Sequence, residues 1–321
     1  MSLRAYIAGL VLAVAVPAAN AAPTAYAESP HASAFGGNQS SLYSIDLGTR
    51  TATLIGPSVP NPGGLVNGLF PFNMRALAFD PAGQLYAVAS ELGVLVKINR
   101  STGAATVVGP LNLSGPGVAS AQNGLGLSMA ITCDGKAWLA SGVTHNFWSV
   151  NLSTGATTLV GQLGNNPITG LAARGTTLYA TGSQSNQKLY TVNVATAATT
   201  AVGAYGGTAG SVHTISPAFD ASGQLWAVLS DYDENASAEQ WSNLGQITSA
   251  GVLTTQGTIT GSTVTAGAEM IGLAIPQVCA AADPPITLGA PALSRGALLG
   301  LILLLIGCAS LPLAQRKRTR R

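Results

Sequence analysis

Between residues 30 and 276 the chain is written in short runs of Val, Leu, Ile, Thr and aromatic residues, divided by Gly, Asn, Asp and Ser-Thr-Gly. Runs this short and this rich in β-formers predict strands joined by tight turns. One unit returns along the stretch as two paired segments, Leu-Tyr-x-Ile/Val-Asp/Asn and then Thr-x-x-Val-Gly. The first covers residues 42–46, 95–99, 147–151, 189–193 and, in degraded form, 244–248. The second closes on Gly56, Gly109, Gly161, Gly203 and Gly257, so successive copies lie 42 to 54 residues apart. Turn triplets such as Ser101-Thr102-Gly103 and Ser153-Thr154-Gly155 separate the two segments, with Gly supplying the left-handed conformation that hairpin loops need.

A second hairpin recurs at residues 80–86, 134–138, 175–179 and 220–226. In Asp80-Pro81-Ala82-Gly83 the Asp accepts backbone N–H groups at the first turn position, Pro81 presets the second, and Gly83 allows the exit. Each unit thus supplies four strands, and four strands at this period make a propeller blade. The first unit opens at its second strand, expected at residues 33–36, where Phe35 falls in the column of Tyr86, Trp138, Tyr179 and Trp226. Its missing first strand is expected at residues 270–275, whose pattern matches the inner strands at 76–79 and 129–132. The predicted fold class is therefore all-β: a β-propeller of five blades, closed by N- and C-terminal strands that meet in one blade. Such closure removes a free sheet edge. A β-sandwich or an open β-solenoid would carry the same periodic turns. Leu77, Phe79, Leu85, Ile98 and Val108 are core residues on this reading.

The two ends follow other rules. Residues 1–27 read as a secretory signal: Arg4, an apolar stretch over 5–17, and two small-x-small patterns, Ala19-Asn20-Ala21 and Ala25-Tyr26-Ala27. That leaves 28–278 for the propeller ectodomain, 279–294 for a linker and motif, and 295–321 for a transmembrane helix and basic tail. Residues 297–314 form an uncharged run dominated by Leu and Ile, long enough to cross a bilayer as a helix. Arg316, Lys317, Arg318, Arg320 and Arg321 follow it, which orients the tail toward the cytoplasm and the propeller away from it. Pro291, Leu293 and Ser294 stand just before the run. Motif, apolar helix and basic end in that order resemble the IPTL-CTERM sorting tail of Gram-negative bacteria, a relative of the PEP-CTERM class. The resemblance covers about the last 35 residues; Ala290, Ala292, Arg295 and Gly296 stand where that motif has Ile, Thr, Glu and Trp. It implies processing by an exosortase-type membrane transpeptidase, with anchoring in the envelope beforehand and a surface or extracellular location afterwards. An uncleaved span would instead make a tethered periplasmic scaffold.

Composition narrows the function. The chain is 47% hydrophobic and 8% charged, which supplies a core rather than disorder. Half of its fourteen Lys and Arg residues are Arg4, Arg295 and the tail, so the remainder sets seven basic against twelve acidic residues. That balance excludes a nucleic-acid partner, which needs clustered basic charge. Two long connections, 57–73 and 110–127, fall on the face where propeller loops surround the channel, and they carry Asn61, Asn67, Phe70, Phe72, Asn73, Gln122 and Asn123. Amides with aromatics suit carbohydrate, although loops are also rich in Asn for local reasons. Asp231, Asp233, Glu234 and Asn235 form an acidic cluster with oxygen ligands spaced for Ca²⁺, but Ala236 and Ser242 break the EF-hand pattern. No cofactor is otherwise expected. His31, His145 and His213 lack any transition-metal spacing, and His145 or His213 would lead any catalytic triad assembled from distant loops. Cys133 and Cys279 are a candidate disulfide outside the membrane; each follows a first strand, in blades that are not adjacent. The reading favoured is an exported, non-catalytic binding or structural module for a glycan, matrix or protein partner. An exported hydrolase, lyase or lactonase is the alternative.

Overall fold

The computed structural model describes residues 23–29, 40–58, 74–90, 92–120, 124–164, 166–183, 186–206, 212–230, 242–264 and 269–279. Phe35, Asn61, Asn67, Phe70, Phe72, Asn73, Gln122, Asn123, Asp231, Asp233, Asn235, Pro291, Leu293, Ser294 and the apolar run 297–314 lie outside the described residues. Among the described residues no helix is long and apolar enough to cross a membrane.

Strands β1 (Thr24–Ser29), β2 (Ser41–Asp46) and β3 (Thr51–Pro57) open the described chain. Three complete blades follow: β4 (Met74–Phe79) with β5 (Leu85–Ala89), β6 (Val94–Ile98) and β7 (Ala105–Pro110); β8 (Leu127–Ile131) with β9 (Ala137–Ser141), β10 (Asn146–Val150) and β11 (Thr157–Gln162); β12 (Ile168–Arg174) with β13 (Thr177–Gly182), β14 (Lys188–Val192) and β15 (Thr199–Ala204). A fourth holds β16 (Thr214–Phe219), β17 (Leu225–Ser230), β18 (Ser242–Ile247) and β19 (Leu253–Thr258). Then β20 (Ile271–Ala274) returns to pair antiparallel with β1, giving a fifth sheet ordered β20-β1-β2-β3. The chain is a five-bladed β-propeller closed by strands from both ends. Inner strands β4, β8, β12, β16 and β20 pack in a continuous ring.

Each of five hydrophobic clusters lies between two neighbouring blades, so the sheets are buried on both faces. Crowding near the axis explains one recurring pair. A large aromatic on each second strand stands opposite an Ala on the inner strand: Tyr86 with Ala78, Trp138 with Ala130, Tyr179 with Ala172, Trp226 with Ala218. The small residue lets inner strands approach, and the ring fills the wedge opening behind it. In the closing blade this aromatic is Tyr26, opposite Ala274 and edge-on to Phe79 at 5.5 Å. The expectation that Phe35 on a strand at 33–36 would fill the column is thus corrected. The second strand of that blade is β1, and it runs across the boundary expected between residues 27 and 28.

The repeat signature is a latch between blades. The closing Asp or Asn of the first segment caps its own turn: Asp46 accepts the Gly48 and Thr49 N–H groups at 2.9 and 2.8 Å, and Asn99 and Asn151 do likewise for Ser101 and Ser153. The closing Gly of the second segment sits at a bulge, where the fourth strand slips one residue against the third. A Cβ at Gly56 would run into the Thr102 carbonyl, one at Gly109 into Thr154, and one at Gly203 into Ala250. Each bulge therefore seats the next blade's turn. Residues at the tip of those turns, Arg50, Gly103, Gly155, Ala197 and Gly251, all have φ between 60° and 89°. The circle closes at Gly257, whose neighbour is the Arg50 side chain, and the seam is reinforced by Ala52 and Thr260 donating to the Thr260 and Arg50 carbonyls at 2.7 and 3.0 Å.

Candidate functional site: the divided central channel

One residue from each inner strand, Leu77, Met129, Leu171, Pro217 and Leu273, borders the space above and the space below, so an apolar waist divides the channel. Below it, the chain leaving β20 turns across the floor. Gln277 lines the lower space and its Nε2 donates to the Ile131 carbonyl at 2.6 Å. Two residues on, Cys279 is bonded to Cys133 with a Cα separation of 5.5 Å. The tail thus bridges two non-adjacent blades, which strand adjacency alone would not allow.

Above the waist lies an open cup of about 50 Å³. Arg75, Ser128, Thr169, Thr214 and Ser216 line it beside Ala76, Leu127 and Ile271. Three of the five inner strands carry a register shift at this height, between Arg75 and Ala78, between Ile168 and Gly170, and opposite Tyr26 and Glu28. Bulges re-aim side chains, and here they accompany a left-handed backbone at Ala76 (φ 58°) and Gly272 (φ 64°). Thr169 Oγ1 accepts the Ile215 N–H at 3.2 Å and Ser216 Oγ accepts the Gly272 N–H at 3.1 Å, so both hydroxyls also tie neighbouring inner strands together. Arg75 is the one charged residue among those described that line the cup.

Behind this ring stands a buried carboxyl. Glu28 is fully buried on β1, in register with Ile271 of the cup wall. Ser58 Oγ donates to its Oε1 at 2.6 Å, while Oε2 has no hydrogen-bond partner among the described residues. Burial pushes its pKa up to about 8, and the Ser58 bond offsets only part of that. Glu269, also buried, accepts from Ser230 Oγ at 3.1 Å.

Of the sequence-based candidates, the cysteine pair is brought together. His145 sits at φ 60° in the β9–β10 turn, its Nδ1 buried with no hydrogen-bond partner among the described residues; His213 precedes β16. They occupy non-adjacent blades and neither lines the cup. The 110–120 connection is pinned onto its blade, with Asn146 Nδ2 and Trp148 Nε1 donating to the Pro116 and Ser114 carbonyls at 2.9 and 2.8 Å. Among the described residues no group of three His, Cys, Asp or Glu side chains could hold a metal ion. Sequence reasoning missed Arg75, Ser128, Thr169, Thr214 and Ser216. Their signal was position: each stands two to four residues before the inner-strand Ala of its blade.

No protein-family model and no curated protein matches this chain. Solved structures with a similar course include a protein of unknown function from Bacteroides thetaiotaomicron (14% identity, TM-score 0.42, 59% of this chain), of whose length this chain spans about half, 51%. A nidogen/laminin complex matches at 11% identity and TM-score 0.47, over 80% of this chain and 100% of that one. A virginiamycin B lyase from Staphylococcus aureus matches at 10% identity and TM-score 0.38, over 68% of this chain and 77% of the lyase. Likenesses of this size carry no argument about what this chain binds or does.

Proposed function

We propose that the chain is an exported cell-envelope protein whose propeller is a binding and structural module, anchored and then sorted through its C-terminal segment. The observation that carries this reading is the Cys133–Cys279 bond, which belongs to an oxidising compartment and agrees with the leader-like N-terminus and the basic C-terminal end. Its placement adds to the argument. The last strand ends at Ala274 and is stapled at Cys279, so cleavage near 290–294 would leave every described strand intact. Leader removal after Ala21 likewise spares β1, whereas removal after Ala27 would take four of its six residues. A binding role is favoured over catalysis by the cup, among whose described lining residues Arg75 is the one charged residue and Ser128, Thr169, Thr214 and Ser216 are the polar ones. The test is the intact mass of the mature protein from its native host, read with its fraction. A mass running from about residue 22 to residues 290–294, in surface or medium fractions, supports the reading. A mass that keeps Met1, or a protein retained in the cytoplasm, overturns it; one that keeps Arg321 in the inner membrane overturns sorting and leaves an anchored module.

A further inference from the structure

Outside the channel, the groove between the blade of β12 to β15 and the blade of β16 to β19 widens into a hollow of about 280 Å³. Leu189, Leu225 and Ile247 line it from the core cluster shared by these blades, and Thr248 and Ser249 add hydroxyl-bearing residues. Tyr179 and Phe219 bring two rings, set edge to face with centroids 5.1 Å apart. Arg174 enters from the end of β12. Its guanidinium carbon stands 6.0 Å from the Phe219 ring centre, and a Cβ built on Gly223 would meet Nη2 at 2.5 Å, so the charge is held against two residues that themselves line the hollow.

No described carboxylate pairs with this guanidinium. Asp220, the acid of the neighbouring turn, is occupied by that turn: Oδ1 accepts the Ser222 and Gln224 N–H groups at 2.9 Å each, and Oδ2 accepts Trp226 Nε1 at 2.9 Å. The Gln224 amide is likewise taken, donating to the Leu225 and Ile247 carbonyls at 2.9 and 3.1 Å. The Arg174 donors are left for a ligand. An internal comparison shows what is particular to this groove. Phe-Asp-x-x-Gly-Gln-Leu stands at residues 79–85 and again at 219–225, and in the first copy Arg100, from the β6–β7 turn, lies 5.4 Å from the Phe79 ring centre. A guanidinium thus reaches the same ring from two different chain positions. The hollow beside the first copy is lined by Lys97 and Arg100 with no aromatic residue, whereas the second joins charge to two rings.

We propose that this groove binds a small carboxylate carried on an apolar body, the chemistry of an aryl-substituted acid or of the last residue of a peptide, with Arg174 holding the carboxylate and Tyr179 and Phe219 packing against the apolar part. Positive charge beside aromatic walls selects an anion of that kind, and a carboxylate meets the planar guanidinium in two parallel hydrogen bonds. A guanidinium already resting on Phe219 loses less freedom when the ligand arrives. The inference rests on the propeller being a binding module and does not depend on how the chain is sorted.

Calorimetric titration of the full oxidised chain in detergent tests it, with detergent alone as the micelle background. The probes are phenylpropionate, its neutral counterpart phenylpropanamide, and the peptide Gly-Gly-Gly-Phe with a free or an amidated C-terminus. The expected result is phenylpropionate binding that weakens with added salt and is at least tenfold tighter than that of the amide. Arg174→Gln should lose at least tenfold, and Arg174→Lys should retain part of the affinity because the charge remains without the fork. Unchanged melting temperatures show that each variant is folded. A free-ended peptide that binds more tightly than phenylpropionate, and at least tenfold more tightly than its amidated form, identifies a chain end as the source; phenylpropionate binding more tightly than the peptide identifies a free acid. Acid and amide binding equally, with Arg174→Gln silent, overturns the inference and leaves the module reading standing. No binding of any probe overturns the inference too, while the mature mass still decides independently whether the chain is an exported, sorted protein.

Discussion

The two mouths of the channel are built from the same five inner strands and are finished in different ways. At the upper mouth the repeat departs by substitution and bulge, so that Arg75, Ser128, Thr169 and Ser216 replace apolar or small residues at the strand starts. The lower mouth departs through a chain end: the segment after β20 crosses the floor, sets Gln277 against Ile131 and is bonded to Cys133. An open hollow and a stapled floor on one scaffold separate the face left open from the face that holds the ring shut. Periodicity sets the scaffold, and the specific features sit where it is broken.

That division can be broken most severely at the floor. Cys133→Ser or Cys279→Ser releases a constraint spanning 146 residues, and loop-closure entropy puts the expected loss at about 3–5 kcal/mol. The midpoint of thermal unfolding should fall by roughly 10 °C. A variant that melts with the parent would show that the staple does not hold the ring. Behind the upper mouth, Glu28 gives a pH signature. Its folded pKa of about 8 lies above the ordinary 4.5, so the folded protein keeps a proton that the unfolded chain releases across that window. Stability should therefore be greatest below about pH 4.5 on this account, decline by up to about 5 kcal/mol as pH rises to 8, and level off above it. Glu28→Gln should flatten the profile in denaturant titrations; an unchanged slope would assign it to another group.

Smaller effects test the latch, in which the seats at Gly56, Gly109 and Gly203 are alike while Gly161 and the seam differ. Gly109→Ala places a Cβ against the Thr154 carbonyl and should cost about 2–3 kcal/mol, while Gly161→Ala, with contacts of 3.2 and 3.3 Å to Ala197 and Thr196, should cost about 1 kcal/mol. Equal costs would mean that the seats are not read by backbone approach. At the seam, Arg50→Gly relieves a non-Gly residue at φ 60° and should be neutral or stabilising by up to about 1 kcal/mol, measured as a shift in unfolding midpoint.

Much of this scaffold could be read from residues alone, because strand length, turn chemistry and the recurring Gly all act locally. Blade number and closure followed from counting strands, whereas the cysteine pair was a candidate by compartment alone, its two positions falling in blades that are not adjacent. The start of the ring did not follow. β1 carries Tyr26 within Ala25-Tyr26-Ala27, a pattern shared with a cleavage site, and Phe35 lay nearer to β2 at ordinary hairpin distance. Only the pairing of Tyr26 with Ala274 decides between them, and that contact spans nearly the whole ring. The cup was invisible for a similar reason. Arg75, Ser128, Thr169 and Ser216 come from four blades, form no motif along the chain, and acquire meaning when the inner strands stand side by side.

The most direct test of the account is the state of Cys133 and Cys279 in protein taken from its native host, trapped by alkylation without reduction and mapped by peptide mass. A closed, exported propeller predicts one linked peptide pair carrying Cys133 and Cys279, found in envelope or extracellular fractions. Both cysteines alkylated as free thiols, in a chain recovered from the cytoplasm, would contradict it.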